Sequence, residues 1–94
     1  MNRRKKRIVT IVDKLGIDLV ALSHSIHGKP ELGFEEYFAC DALTKVLARH
    51  GFSVRTGIGS MQTAFIAESM GSEKGPHIAF LAEYDALPGI GHGC

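Results

Sequence analysis

The feature that most constrains this chain is a continuous apolar run near its end, followed directly by two acids. Residues 78–82 carry no polar side chain, and Glu83 and Asp85 come immediately after them. An unbroken apolar run of this length is typical of a strand that is covered on both faces. Ligands of open α/β sheets bind just beyond the carboxyl ends of the strands. The run therefore predicts a central strand with the two acids at the rim of a functional site.

A glycine-rich loop follows the two acids. Three of the last six residues are glycine, which allows the backbone to come close to a bound group. His92 and Cys94 lie in the same loop, and imidazole and thiolate are the ligands that zinc and similar metals prefer. The end of the sequence therefore has the residue types of a metal site.

Two separated motifs give the sequence a resemblance to a known family. One motif comprises residues 83–88 together with 91–94, and the other comprises residues 27–36. In combination they resemble the amidohydrolase branch of the M-twenty metallopeptidases, relatives of aminoacylases, carboxypeptidases and dipeptidases. The resemblance extends from about Leu22 to the end of the sequence. Because both motifs occur, and in the right order, it is specific.

The resemblance implies a role for each chemically active residue of the later motif. Asp85 falls on the catalytic aspartate of the family, which orients a metal-bound histidine. Cys94 falls on the cysteine that binds the metal, and Glu83 takes the position at which other branches carry a histidine ligand. His92 is expected to lie beside the metal or the substrate without binding the metal. The family's next histidine ligand and its general-base glutamate have no counterpart in this sequence.

The reaction that the resemblance implies is metal-assisted hydrolysis of an amide bond. The expected substrates are N-acyl amino acids, dipeptides or aminobenzoyl-glutamate-type conjugates. Two divalent ions, zinc or manganese, share a water and lower its pKa while a glutamate takes up its proton. A homodimer is implied for the full-length enzyme. We therefore expect residues 1–94 to be the N-terminal portion of the catalytic domain, truncated at Cys94 and inactive without the rest.

A second interpretation remains open from the sequence. The 94 residues are long enough to form a small complete domain, so the chain can also be a non-catalytic α/β module that keeps the scaffold and serves as an interaction or regulatory domain. The reading frame beyond the codon for Cys94 distinguishes the two interpretations. A frame that continues with glycine and histidine supports the enzyme, and a stop codon supports the module.

The upstream sequence predicts two helices. Apolar residues recur at a spacing of three and four from Ile8 onward and predict a first helix that faces a core. It should end near His27, because Pro30 disfavours helical backbone in the residue before it. A second helix is predicted over about residues 34–50. Gly51 should close it, because glycine readily takes the left-handed conformation that ends helices.

Two shorter segments and the apolar run predict three strands. Residues 52–56 alternate between apolar and polar side chains, and residues 63–68 form a second candidate. With residues 78–82 as the third strand, the fold class is α/β: two helices followed by three strands of a mixed sheet. By resemblance, this is the N-terminal part of a zinc-exopeptidase-like domain.

Composition and charge argue against several other classes of protein. The net charge is +1, and no basic stripe occurs beyond residues 1–7, so no nucleic-acid partner is expected. No apolar span reaches the roughly 20 residues that cross a membrane. The basic run itself is expected to be a disordered tail, because the apolar segment behind it is too short for an export signal. The lack of such a signal favours the cytoplasm, with Cys40 as a buried structural thiol.

Overall fold

The computed structural model describes residues 2–71 and 74–88. They comprise two helices, a β-hairpin and a final segment, residues 74–88, without helix or strand. The first helix packs against the second, and the second covers the hairpin. The two strands are antiparallel, with Ser53 opposite Glu68 and Thr56 opposite Phe65. The elements in chain order are α1 (Arg3–His27), α2 (Tyr37–Arg49), β1 (Ser53–Thr56), a 3₁₀ turn (Ile58–Ser60) and β2 (Phe65–Glu68).

Helix α1 begins within the basic run, which differs from the disordered tail that the sequence predicts. The side chain of Asn2 caps the helix, because its Oδ1 accepts a hydrogen bond from the backbone N–H of Lys5 at 2.8 Å. The helix continues through Gly16 and ends at His27, as predicted. Among the described residues, no helix combines the length and the apolar character needed to cross a bilayer.

Helix α2 begins at Tyr37, three residues later than the predicted start at residue 34. Phe34 has a φ angle of 69°, in the left-handed region that a right-handed helix does not contain. Glu36 is the residue before the first helical one, and its own side chain makes no capping hydrogen bond. The cap comes from a residue outside the helix, which is described with the candidate site.

The end of α2 is fixed by the glycine that the sequence predicts. Gly51 has a φ angle of +88°. Its N–H donates to the carbonyl oxygen of Ala48, and the N–H of Phe52 donates to the carbonyl oxygen of Leu47, each at 3.1 Å. This pair of hydrogen bonds is the Schellman motif, in which a left-handed residue satisfies the last carbonyl groups of a helix.

The core of the described residues is small and lies between α2 and the hairpin. Ala39, Cys40 and Thr63 are buried there, and the burial of Cys40 agrees with the prediction of a structural thiol. Helix α1 contributes no buried residue. In its N-terminal half, Ile8 and Val12 are more than half exposed.

The predicted strand at residues 78–82 is not formed in the described structure. Residues 74–88 contain neither helix nor strand, and Phe80 and Leu81 are 93% and 98% exposed. The described sheet is therefore two-stranded and antiparallel, not three-stranded and mixed. A strand forms only where its backbone N–H and C=O groups exchange hydrogen bonds with a neighbouring strand. Since β1 and β2 pair with each other alone, the apolar run has no described strand beside it.

Two glycine substitutions should change stability in opposite directions. Gly51→Ala forces alanine into a left-handed conformation and should lower the free energy of unfolding by about 1 kcal/mol. Gly16→Ala lies inside α1, where a Cβ meets no atom within 4 Å, and should raise it by about 0.5–1 kcal/mol. Urea unfolding followed by circular dichroism measures both. A stabilising Gly51→Ala would contradict the assigned helix end.

Candidate active site

The two motifs of the sequence meet in space. Residues 28–36, all but the first residue of the earlier motif, connect α1 to α2, and the segment around Asp85 passes beside this connection. The backbone N–H of Ala86 donates to the carbonyl oxygen of Glu31 at 2.6 Å. Oδ2 of Asp85 lies 3.7 Å from the position that a Cβ would take on Gly33. Residues far apart in the sequence therefore form one local site at the start of α2.

The side chain of Glu31 provides the missing cap of α2. Its two carboxylate oxygens accept hydrogen bonds from the backbone N–H groups of Phe38 at 2.9 Å and Ala39 at 3.0 Å. These N–H groups lie in the first turn, where no helical carbonyl oxygen is available to them. A carboxylate there also interacts favourably with the positive end of the helix dipole. Glu31 is thus held in place by the helix that it stabilises.

Tyr84 attaches the later motif to the hairpin. Its hydroxyl donates to the carbonyl oxygen of Thr63, a residue only 3% exposed that lies two positions before β2. Its ring lies beside the ring of Phe65 in β2, with 6.0 Å between the centroids and an interplanar angle of 30°. The segment that carries the acids therefore contacts the hairpin through Tyr84 and the helix connection through Ala86.

Exposure alternates along this segment and places both acids on the outer side. Tyr84 and Ala86 are half-buried, whereas Glu83 and Asp85 are exposed. Alternation of this kind is what an extended backbone produces, because successive side chains point to opposite sides. The inward residues make the contacts with the fold. The outward carboxylates of Glu83 and Asp85 are accessible to a bound molecule.

The surroundings of Tyr84 keep its hydroxyl protonated. Burial is the main cause that raises the pKa of Tyr84 well above its ordinary value. The neighbouring Cys40 thiol and the negative charges of Glu36 and Glu31 raise this pKa further, because they disfavour a phenolate. A protonated phenol can donate a hydrogen bond, and the carbonyl oxygen of Thr63 accepts it.

Two further contacts attach the earlier motif to its surroundings. Oε2 of Glu36 accepts a hydrogen bond from the hydroxyl of Thr63 at 3.4 Å, while its Oε1 is buried without a hydrogen-bond partner among the described residues. Nζ of Lys29 lies 4.5 Å from the ring centroid of Phe38, a cation–π arrangement. Lys29 thus contacts α2, and Glu36 contacts the residue that also binds Tyr84.

The predicted site residues fall into two groups. Glu83 and Asp85 are both exposed, whereas His92 and Cys94 lie outside the described residues. Within residues 2–71 and 74–88, no three His, Cys, Asp or Glu side chains come close enough together to hold a metal ion. The roles of all four residues therefore stay predictions.

Sequence reasoning assigned no role to Glu31 or Tyr84, although both belong to the quoted motifs. The sequence nevertheless contains an indication of a structural role for each of these two residues. Glu31 is an acid a few residues before a helix that has no conventional cap, and Tyr84 stands between two acids on the opposite side of an extended segment. Neither signal specifies the partner, because the hydrogen bonds join residues 7 to 21 positions apart.

Comparison with known proteins identifies the relatives of this chain. No family model matches it. The human Xaa-Arg dipeptidase is 38% identical over an alignment of 101 positions. The alignment covers 96% of this chain and 23% of the dipeptidase. A p-aminobenzoyl-glutamate hydrolase polypeptide of Escherichia coli is 41% identical over 75 residues, 78% of this chain and 15% of that polypeptide. Thermostable carboxypeptidase 1 of Saccharolobus solfataricus is 33% identical over 70 residues, 74% of this chain and 18% of that enzyme.

This chain matches one part of an M-twenty metallopeptidase. The resemblance that the two motifs indicate is therefore confirmed. The chain spans less than a quarter of the length of these M-twenty relatives. Their names are those of peptidases and hydrolases, and each match includes most of this chain.

Removal of the Glu31 carboxylate should destabilise the fold. Glu31→Ala leaves two first-turn N–H groups of α2 without their acceptor and should lower the free energy of unfolding by about 1–2 kcal/mol. Glu35→Ala is the matched control, because Glu35 is an exposed acid of the same connection and should change stability by less than about 0.5 kcal/mol. Urea unfolding compares the two variants. Equal losses would show that Glu31 is not the cap.

Proposed function

We propose that the protein containing these residues is a metal-dependent hydrolase that cleaves an amide bond in N-acyl amino acids, dipeptides or aminobenzoyl-glutamate-type conjugates. The observation that carries the proposal is the meeting of the two family motifs at the Ala86–Glu31 hydrogen bond, which presents Asp85 and Glu83 on one accessible side. The names of the relatives support the same class of reaction.

The donor chemistry of the later motif fits a divalent metal. A thiolate at Cys94 is a strong ligand for zinc, and imidazole and carboxylate ligands from the remaining part of the protein suit zinc and manganese equally. The described residues include no group of three ligands, so the proposed centre depends on Cys94 and on residues beyond this sequence. When bound, two such ions supply an activated water and polarise the substrate carbonyl.

The residues of this chain position groups around that centre. Asp85 accepts a hydrogen bond from a histidine ligand and thereby holds one tautomer and one ring orientation of the imidazole. Glu83 and His92 are assigned to the surroundings of the centre, either beside the metal ligands or on the substrate side. None of these residues is the general base, whose glutamate belongs to the remaining part of the protein. The substrate is a small amide, and the class of its side chain is set by groups outside this chain.

We also propose that residues 78–82 become the third strand of a mixed sheet in the complete domain. Ile78, Phe80 and Leu81 are 76%, 93% and 98% exposed, and contiguous apolar exposure of this kind marks a surface that other protein covers. A continuous apolar run suits a strand covered on both faces. The pairing would place Asp85 and Glu83 at the carboxyl end of a central strand.

Hydrolysis by the full-length protein tests the proposed function. The purified protein, loaded with zinc or manganese, should release product from at least one member of a panel of dipeptides with a C-terminal arginine, N-acetyl amino acids and p-aminobenzoyl-glutamate. A chelator should abolish turnover, and either metal should restore it. A metal-loaded, folded protein that hydrolyses no member of the panel would contradict the proposal and favour the non-catalytic module.

Substitutions of Cys94 and Asp85 in the full-length protein should lower activity in different ways, which added metal distinguishes. Cys94→Ser replaces a thiolate by a neutral hydroxyl, so one metal should be lost and excess metal should restore little activity. Asp85→Asn removes only the charge that orients the histidine and should cost about 10- to 100-fold in activity or metal affinity. Excess zinc or manganese should recover a good part of that loss.

The matched control for Asp85→Asn is Asp41→Asn. Asp41 is an exposed acid of α2 that pairs with Lys45 at 2.9 Å on the helix surface. Its substitution should leave turnover and metal content unchanged, because exposed pairs of this type contribute little. Elemental analysis of metal content accompanies each activity measurement. Full metal content and near-normal turnover in Cys94→Ser would show that Cys94 is not a ligand.

A further inference from the structure

The backbone on each side of Asp85 is held by a different part of the fold. On the N-terminal side, the hydroxyl of Tyr84 donates to the carbonyl oxygen of Thr63. On the C-terminal side, the N–H of Ala86 donates to the carbonyl oxygen of Glu31 at 2.6 Å. The residues on both sides of Asp85 are therefore attached to the fold, while its own side chain is exposed.

Both anchor points are themselves fixed. Thr63 is buried at 3% exposure, and its own hydroxyl binds Glu36 at 3.4 Å. Glu31 is held by two backbone N–H groups of α2 through its carboxylate, which leaves its carbonyl oxygen directed at Ala86. A segment without ladder hydrogen bonds is thus positioned by contacts to the helix start and to the residues before β2.

We propose that Tyr84 is a positioning residue that sets the orientation of the Asp85 carboxylate through its hydrogen bond to Thr63. The proposal rests on the function proposed above, in which Asp85 orients a metal-bound histidine. Loss of the hydroxyl releases the backbone immediately before Asp85. Small displacements of an orienting group cost large factors in rate, because the reacting groups no longer meet in the productive geometry.

The substitution Tyr84→Phe separates this role from simple packing. Phenylalanine keeps the ring and therefore keeps the contact with Phe65, whose ring centroid is 6.0 Å away. The substitution removes the hydroxyl, with its hydrogen bond to Thr63 and its interaction with the neighbouring Cys40 thiol. Tyr37→Phe is the matched control, since Tyr37 is 57% exposed and no side-chain hydrogen bond joins it to another described residue.

The kinetic test uses the full-length, metal-loaded enzyme with the substrate that the panel identifies. Tyr84→Phe should lower kcat about 10-fold and change KM by less than about 2-fold, as losses of supporting hydrogen bonds around metal sites do. Tyr37→Phe should leave both constants unchanged. An unchanged kcat in Tyr84→Phe would overturn the proposal. So would a fall in kcat that matches a fall in the folded fraction, measured by circular dichroism on the same sample.

A second measurement is independent of activity and therefore separates failure of this inference from failure of the proposed function. Hydrogen exchange should report the amide of Ala86 becoming about 10-fold less protected in Tyr84→Phe, because the segment opens more often. The amides of β2 should be unaffected. If the wild-type protein hydrolyses no amide, the proposed function fails while a selective loss of protection still supports the positioning role of Tyr84. Unchanged protection at Ala86 overturns that role whatever the activity.

Discussion

The carboxylate of Glu31 at the start of α2 is the interaction on which the rest of this structure depends. Helix α2 lies between α1 and the hairpin, and the side chain of Glu36, the residue before its first turn, does not cap its N-terminus. One acid supplies that cap through its side chain and accepts the Ala86 amide through its main chain. The same residue therefore begins the central helix and holds the segment that carries the candidate acids.

The sequence was sufficient where local chemistry decides the conformation. The first helix ends at His27 shortly before a proline, and the second ends at a glycine with a φ angle of +88°, as the residue types predict. Proline and glycine act through their own backbone preferences, so no distant contact is needed.

The sequence was insufficient to predict the conformation of segments that depend on contacts with residues distant in the sequence. Helix α2 starts at Tyr37 because Phe34 is left-handed and Glu31 folds back onto the first turn, and periodicity alone indicates neither event. The apolar run at 78–82 has the composition of a strand but finds no strand beside it in the described residues. The composition of a segment indicates which secondary structure it favours, whereas strand pairing depends on which other strands are present.

The unpaired run also bears on the behaviour of the chain in solution. A short segment with β-branched and aromatic residues, no internal charge and nearly full exposure is the kind of sequence that stacks into cross-β aggregates. Pro76 and Glu83 flank it, and a proline and a charge are the residues that interrupt such stacking. Glu83 thus has a second effect besides facing the candidate site, since its charge protects the neighbouring run from self-association whenever that run is uncovered.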